Sequence, residues 1–398
     1  MKKKYDVCVI GGLGHVGLPL GITFASKNLK VCLHDLNEEH GKYVMDGNMP
    51  FVEHGSETAL KNAIDKGNLV FDKSKKSISE AKYVVITIGT PIDEFMNPKI
   101  DGFLKFIKEI KPLLDTSQTI IIRSSVAPRT CEQVLKVLGS PNKWNLSYCP
   151  ERIVQGYAIQ ELEKLPQIIS GFSEEAINSS KKLFKKITKK LIVTSTKEAE
   201  MIKLFSNAWR YVQFALANQF FMISHDYGID YNAVRNAMVE GYERASQLPG
   251  AGFAAGPCLL KDTMQLANTF KNGFQLGHSA MIVNEGLPNY IVENIKLSID
   301  IEKTKIGILG MSFKAEIDDI RDSLSFKLKK RLLSYGAELY CTDEYAKSES
   351  FFDLEIVLKK SKVIIIAVPH NKYKKIKFRS DQIIVDLWNI SHHTKKIL

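Results

Sequence analysis

Residues 5–17 read Tyr5-Asp6-Val7-Cys8-Val9-Ile10-Gly11-Gly12-Leu13-Gly14-His15-Val16-Gly17, and the next apolar run ends at Asp35. The first six predict a strand, and the apolar stretch from Gly17 to about Ser26 predicts a helix. Between them, Gly12, Gly14 and Gly17 have the spacing of a tight turn that brings backbone and a helix N-terminus against a pyrophosphate. Asp35 closes a second predicted strand over 30–34, where a carboxylate accepts from adenosine ribose hydroxyls and repels a ribose phosphate. The pattern predicts a dinucleotide site for NAD rather than NADP, built from Gly12, Leu13, Gly14, His15, Val16, Gly17 and Asp35. A glycine turn that binds nothing is the alternative.

Outward from this loop, strand signals recur at 83–88, 119–123, 146–149, 167–170 and 191–194, separated by helix-length stretches. Such alternation predicts a parallel sheet covered by helices. From 197 the strand signals stop. Residues 197–227 contain neither proline nor glycine and predict one helix of roughly 45 Å at 1.5 Å per residue. Its apolar residues, among them Leu204, Phe205, Ala208, Val212, Phe214, Ala215, Phe220 and Phe221, exceed what one domain face needs. A connecting helix that also forms a homodimer interface is expected. Strand signals resume at 305–309, 338–341, 363–367 and 382–386. The fold class expected is α/β, with two Rossmann-like doubly wound parallel-sheet domains joined by a central helical domain. The boundaries expected are 1–195 for the NAD-binding domain, 196–300 for the helical domain and 301–398 for the second nucleotide domain.

A length of 398 residues suits roughly two to three domains. With 44% hydrophobic and 25% charged residues the composition is that of a globular protein. No apolar run approaches the ~20 residues that cross a bilayer, and residues 1–4 lead straight into a strand rather than a signal peptide. A cytoplasmic protein with no membrane partner is expected. The net charge of +11 is densest at 181–190 and 371–379, where lysines interleave with apolar residues as on amphipathic surface elements. That pattern argues against nucleic acid and fits attraction of a phosphorylated small molecule. The cysteines Cys8, Cys32, Cys131, Cys149, Cys258 and Cys341 show no paired spacing, so neither a disulfide framework nor a metal site is suggested.

Several further groups fall where predicted strands end, the edge at which open parallel sheets bind ligands. Thr90 in Gly89-Thr90-Pro91 and Ser125 in Ser124-Ser125-Val126 are placed to line the cofactor site, or are ordinary turn residues. In Pro150-Glu151-Arg152, the pair is either a surface ion pair or a base beside an anion ligand. On the long helix Lys203, Asn207 and Arg210 are spaced to share one face, as a cationic, amide-bearing wall or as a solvated surface. Cys258 follows a small-residue entry from Gly252 to Pro257 and precedes a predicted helix over 259–270. It is either a packed, inert thiol or a nucleophile favoured by the helix N-terminus, with Asp262 one turn on. Phe313-Lys314 and Arg321 occupy the ligand edge of the last domain.

Taken in order, these motifs resemble the UDP-glucose/GDP-mannose dehydrogenase family, the nucleotide-sugar 6-dehydrogenases. The resemblance rests on Gly12 to Gly17, Gly89-Thr90-Pro91, Ser124-Ser125-Val126, Pro150-Glu151-Arg152, Glu200-x-x-Lys203-x-x-x-Asn207, Gly256-Pro257-Cys258 with Lys261-Asp262, and Phe313-Lys314 with Arg321. It implies NAD-dependent oxidation of a sugar C6 alcohol to a carboxylate through a thiohemiacetal and a thioester on Cys258. Lys203 and Asn207 would stabilise oxyanions, Asp262 would balance charge and Glu151 would guide water. Arg152, Ile153, Arg210, Phe313 and Lys314 would bind the UDP-sugar, Arg321 would reach the cofactor, and Arg244 would cross to the partner of a homodimer. The Pro-Glu-Arg form is similar to the branch acting on UDP-N-acetylmannosamine or UDP-N-acetylglucosamine; a UDP-glucose 6-dehydrogenase is the alternative within the family. The chain departs from the family at Ala255, at Leu260, and at Trp388, where an arginine is usual. Outside the family, the alternatives are a hydroxyacid dehydrogenase that needs no thiol and a non-catalytic NAD or nucleotide-sugar binding protein.

Overall fold

The computed structural model describes residues 3–94, 96–139, 143–270, 273–393 and 396–398. Contacts group the chain into two compact units, Met1–Ser206 and Asn207–Leu398.

The first unit is built on eight strands: β1 (Tyr5–Ile10), β2 (Val31–His34), β3 (Leu69–Phe71), β4 (Ala81–Ile86), β5 (Thr119–Ile122), β6 (Asn145–Tyr148), β7 (Gln167–Gly171) and β8 (Leu191–Val193). Their order is β3-β2-β1-β4-β5-β6-β7-β8. Runs such as Val84-Val85-Ile86 and Ile120-Ile121-Ile122 are apolar at every position because both faces of the sheet are covered. The period of two divides them cleanly. Cys8, Ile10, Val84, Ile86, Ile120 and Ile122 enter one core, and Val7, Val9, Tyr83, Val85 and Ile121 enter the other. β1 is flanked by β2 on one side and β4 on the other, so the topological switch lies between the carboxyl ends of β1 and β4.

One pairing differs from the parallel sheet expected: β6 and β7 run antiparallel. The stretch joining them holds only a seven-residue helix, Ala158–Lys164, about 10 Å long at 1.5 Å per residue. The chain turns at the carboxyl edge and re-enters from there rather than crossing the sheet. β3, of three residues, is an edge strand that the sequence pattern did not reveal.

In the second unit, strands β9 (Lys305–Leu309), β10 (Glu338–Thr342), β11 (Val363–Ile366) and β12 (Ile383–Val385) form a parallel sheet in the order β10-β9-β11-β12. Its faces divide in the same way, Ile306, Ile308, Val363 and Ile365 into one core, Leu309, Ile364 and Ile366 into the other. Between the strands of the two sheets, the regular elements among the described residues are helices. The helix Thr196–Asp226 has 31 residues and runs through the boundary of the two units. It is followed by the helices Tyr231–Val239, Leu259–Thr269 and Gln275–Ser298. No helix among the described residues is long and apolar enough to cross a membrane.

Candidate active site

In the first unit the expected glycine loop leaves β1 and enters the helix Gly17–Ser26. Asp35 Oδ2 accepts from the Leu13 amide at 3.2 Å, while its Oδ1 accepts from Leu36 at 2.8 Å. The carboxylate is thereby aimed across the turn and stays only half-buried. The three fingerprint glycines differ in what surrounds them. A Cβ on Gly12 would lie 2.8 Å from the Val9 carbonyl, and one on Gly17 would lie 2.2 Å from the Gly11 carbonyl. At Gly14 the nearest atom would be 3.5 Å away, an ordinary contact. The protein itself needs glycine at Gly12 and Gly17, whereas the space over Gly14 is left open, as a dinucleotide pyrophosphate requires.

Beside this crevice the ends of β4 and β5 are tied together. The Thr90 hydroxyl donates to the Ser125 carbonyl and the Ser124 hydroxyl to the Ile88 carbonyl, the latter at 2.7 Å. Glu200, from the long helix, accepts from the amides of Arg129 at 2.7 Å and Cys131 at 2.9 Å. It fixes the turn that follows Ser125, where Arg129 adopts φ of 69°.

Glu151 is buried, and its partner is a residue that sequence reasoning passed over. Arg123, 1% exposed, forms an ion pair with Glu151 Oε2 and donates to Gln167 Oε1 at 2.8 Å and to the Cys149 carbonyl at 3.0 Å. Its guanidinium also lies 4.8 Å from the centroid of the Phe184 ring. Glu151 Oε1 accepts from the amides of Arg152 at 2.7 Å and Ile153 at 3.1 Å. Of about four acceptor positions on a carboxylate, three are in use. Arg152 donates to the Pro166 carbonyl at 2.6 Å, and four residues beyond Glu151 the Gln155 amide meets His15 Nδ1 of the glycine loop at 2.9 Å. The only hint of Arg123 in the sequence is a charge closing an apolar strand, the signal that singled out Asp35.

On the helix Thr196–Asp226, Lys203 and Asn207 are buried, at 8% and 7% exposure, while Arg210, three residues further on the same face, is exposed. Lys203 has no ion pair among the described residues.

In the second unit Cys258 is the N-cap of the helix Leu259–Thr269, whose start has no side-chain cap. The other five cysteines are buried; Cys258 is exposed. One turn on, Asp262 is fully buried, accepts from Asn207 Nδ2 at 2.6 Å, and has Lys261 Nζ at 3.5 Å. Arg321 is gripped by Asp319 through three bonds of 2.6–3.0 Å. That grip, followed by the charges of Cys258 and Asp322, raises the guanidinium pKa. Phe313 and Lys314 follow β9, with the Phe313 ring against Gly256. Arg244 is exposed beside Tyr242.

The second sheet repeats the glycine-loop geometry in a closed form. Asp343, after β10, accepts from the amides of Met311 at 2.6 Å and Ser312 at 2.9 Å, as Asp35 does from Leu13. Its side chain has no exposure, and His370 Nε2 stands 3.3 Å from it. Burial alone would push the Asp343 carboxyl up, but hydrogen bonds from His370 and the amides of Ala346 and Ser312 bring it down to about 2. With these acceptors taken by Met311, Ser312, Tyr345, Ala346 and His370, Asp343 offers nothing further to a ribose diol.

Three domain models of one family match the chain in order. They are the NAD binding domain of the UDP-glucose/GDP-mannose dehydrogenase family over residues 5–188, its central domain over 197–285 and its UDP binding domain over 307–393. A UDP-N-acetyl-D-mannosamine dehydrogenase of Methanocaldococcus jannaschii is 31% identical over 376 residues, covering 92% of this chain and 86% of the relative. The solved structure of a UDP-D-ManNAc dehydrogenase from Pyrococcus horikoshii matches with a TM-score of 0.89 at 26% identity, covering 98% of each chain. A UDP-glucose dehydrogenase from Pyrobaculum islandicum shares the fold, with a TM-score of 0.89 at 22% identity over 100% of this chain and 98% of that one. With open space over Gly14 of the glycine loop, an exposed thiol on a helix start and all three domain models matched in order, the chain belongs to the UDP-glucose/GDP-mannose dehydrogenase family of NAD-dependent oxidoreductases.

Proposed function

We propose that the chain oxidises the C6 alcohol of a UDP-N-acetylhexosamine, first among them UDP-N-acetyl-D-mannosamine, to the uronate in two successive two-electron steps. The observation that carries this reading is the exposed Cys258 at an uncapped helix start, one turn from the buried Asn207–Asp262 pair. A thiolate there adds to the C6 aldehyde to give a thiohemiacetal; loss of hydride gives a thioester, which water cleaves. NAD, when bound, supplies the hydride acceptor. Asp262 uses one amide hydrogen of Asn207 and fixes the other for a developing oxyanion, a duty the Lys203 ammonium shares. Glu151 is the group proposed to guide the hydrolytic water, with one acceptor position left after Arg123 and two amides.

For the cofactor we assign Gly12, Leu13, Gly14, His15, Val16, Gly17, Asp35, Thr90, Ser125 and Arg321. For the UDP-sugar we assign Arg152, Ile153, Arg210, Phe313 and Lys314 beside Lys203 and Asn207. The carbon-sulfur chemistry separates this reading from a hydroxyacid dehydrogenase and the hydride stoichiometry separates it from a binding protein. The test is a panel of UDP-sugars with NAD. Two NADH per UDP-N-acetyl-D-mannosamine or UDP-N-acetylglucosamine are expected, and turnover of UDP-glucose alone, or one NADH per sugar, would overturn the choice.

We further propose a cytoplasmic homodimer, with domains at 1–195, 196–300 and 301–398. Trp209, Leu216 and Ile223, at spacings of seven along the long helix, and Tyr227 just past its end are 61%, 47%, 56% and 80% exposed, an apolar stripe that a second copy would cover. Arg244 then serves the neighbouring site. Trp209→Glu is expected to halve the mass measured by light scattering, and an unchanged mass would exclude this face as the interface.

A further inference from the structure

The six residues leading to the thiol, 252–257, are held at both ends by the carboxyl edge of the second sheet. At the near end Gly252 lies against the ring of Trp388. A Cβ added there would stand 2.2 Å from Trp388 Cη2 and 2.3 Å from Cζ3, so ring and backbone are in direct contact. The peptide of Gly252 is gripped from the other side by Asn218, whose fully buried amide accepts from Gly252 N at 2.8 Å and donates to its carbonyl at 3.0 Å. At the far end, a Cβ on Gly256 would stand 2.6 Å from Phe313 Cδ2, and Gly256 N donates to the Asp322 carbonyl at 3.2 Å. Cys258 follows two residues later.

Trp388 is itself fixed. It follows β12, and its indole N–H donates at 3.1 Å to the carbonyl of Ala367, which follows β11. The ring is thus pinned across the ends of two neighbouring strands, on the edge where a doubly wound sheet receives its nucleotide. Phe313 and Asp322 come from the β9 side of the same edge. A loop gripped this way cannot drift, and Cys258 is kept as the N-cap, at the positive end of the helix dipole. Without the ring, Gly252 at φ of 148° is held by the Asn218 amide alone, with no side chain of its own to restrain it.

We propose that Trp388 is a positioning residue for Cys258: its ring locks Gly252 and so holds the thiol on the helix start. The inference rests on the reading of Cys258 as nucleophile, but its test needs no turnover. The rate of iodoacetamide alkylation is measured against pH in the full-length protein, with Cys258→Ala as the blank, the other five cysteines being buried. In Trp388→Leu the alkylation rate at pH 7 is expected to fall about tenfold and the midpoint of the profile to move up, as the thiolate loses the helix start. Trp388→Phe, which keeps a ring against Gly252 and folds with least disturbance, is expected to recover most of the loss. With UDP-sugar, kcat of Trp388→Leu should fall while KM stays within about threefold. An alkylation profile unmoved in Trp388→Leu, or a Phe variant as impaired as the Leu variant, overturns the proposal. A shifted profile in a chain that oxidises no UDP-sugar would uphold the positioning role and overturn the proposed function alone.

Discussion

Replacing Cys258 with alanine is expected to end uronate formation, with net turnover falling by about 10⁴-fold or more, the scale on which loss of a covalent nucleophile is felt. The other five thiols are buried, out of reach of a substrate. Burial pushes Cys149 up to about 11 and raises Cys131 and Cys341, so each is held as the unreactive thiol within a core. The fold should not notice the change. Cys258 is exposed and removal of its sulfur leaves no buried cavity, so stability should stay within about 0.5 kcal/mol. The wild-type protein should release two NADH per sugar and show, under rapid quenching, an acyl adduct by intact mass. Cys258→Ala should show no adduct and at most one NADH per site, because the first hydride leaves the alcohol before sulfur is needed. Cys258→Ala with wild-type turnover would remove the covalent route altogether.

Legibility in the sequence followed how local each determinant is. β1, β5 and β9 could be read from runs of branched residues between turn signals, and the long helix, expected over 197–227, spans Thr196–Asp226. The antiparallel β7 was hidden because an eighteen-residue connection with a short helix looks like any crossover; only strand direction reveals otherwise. Asp35 and Cys258 could be found from their positions relative to a strand end and a helix start. Arg123 could not, since its partners Glu151, Gln167 and Phe184 come together only once β5, β6 and β7 are neighbours. Periodicity grouped Arg210 with Lys203 and Asn207, yet it is exposed. Direction around the axis is set by spacing, whereas cover depends on how far along the helix a neighbour extends, and seven residues are about 10 Å. Trp388 stood out in the sequence as a departure; its contact with Gly252, 136 residues earlier, had no local sign.

The glycine loop gives the second large effect, and it divides by position. Gly17→Ala would put a methyl group 2.2 Å from the Gly11 carbonyl and 2.8 Å from Thr87 Oγ1, which itself donates to the Ile10 carbonyl at 2.8 Å. Backbone must move to accept it, so the free protein should lose about 1–3 kcal/mol or more, and NAD affinity with it. Gly14→Ala is different in kind. Its methyl group would meet only the Gly11 carbonyl at 3.5 Å, and Gly14 is not among the residues with positive φ. The unliganded fold should therefore tolerate alanine, with a melting temperature near the wild-type value. The methyl would instead occupy the space over which a pyrophosphate approaches the helix start, and NAD affinity should fall roughly 10- to 100-fold, about 1.4–2.8 kcal/mol. Melting curves without NAD and NAD titrations of both variants separate the two effects. A Gly14→Ala protein that binds NAD as tightly as wild type would mean that the cofactor does not lie over this glycine, and the roles assigned to Leu13, His15 and Asp35 would fall with it.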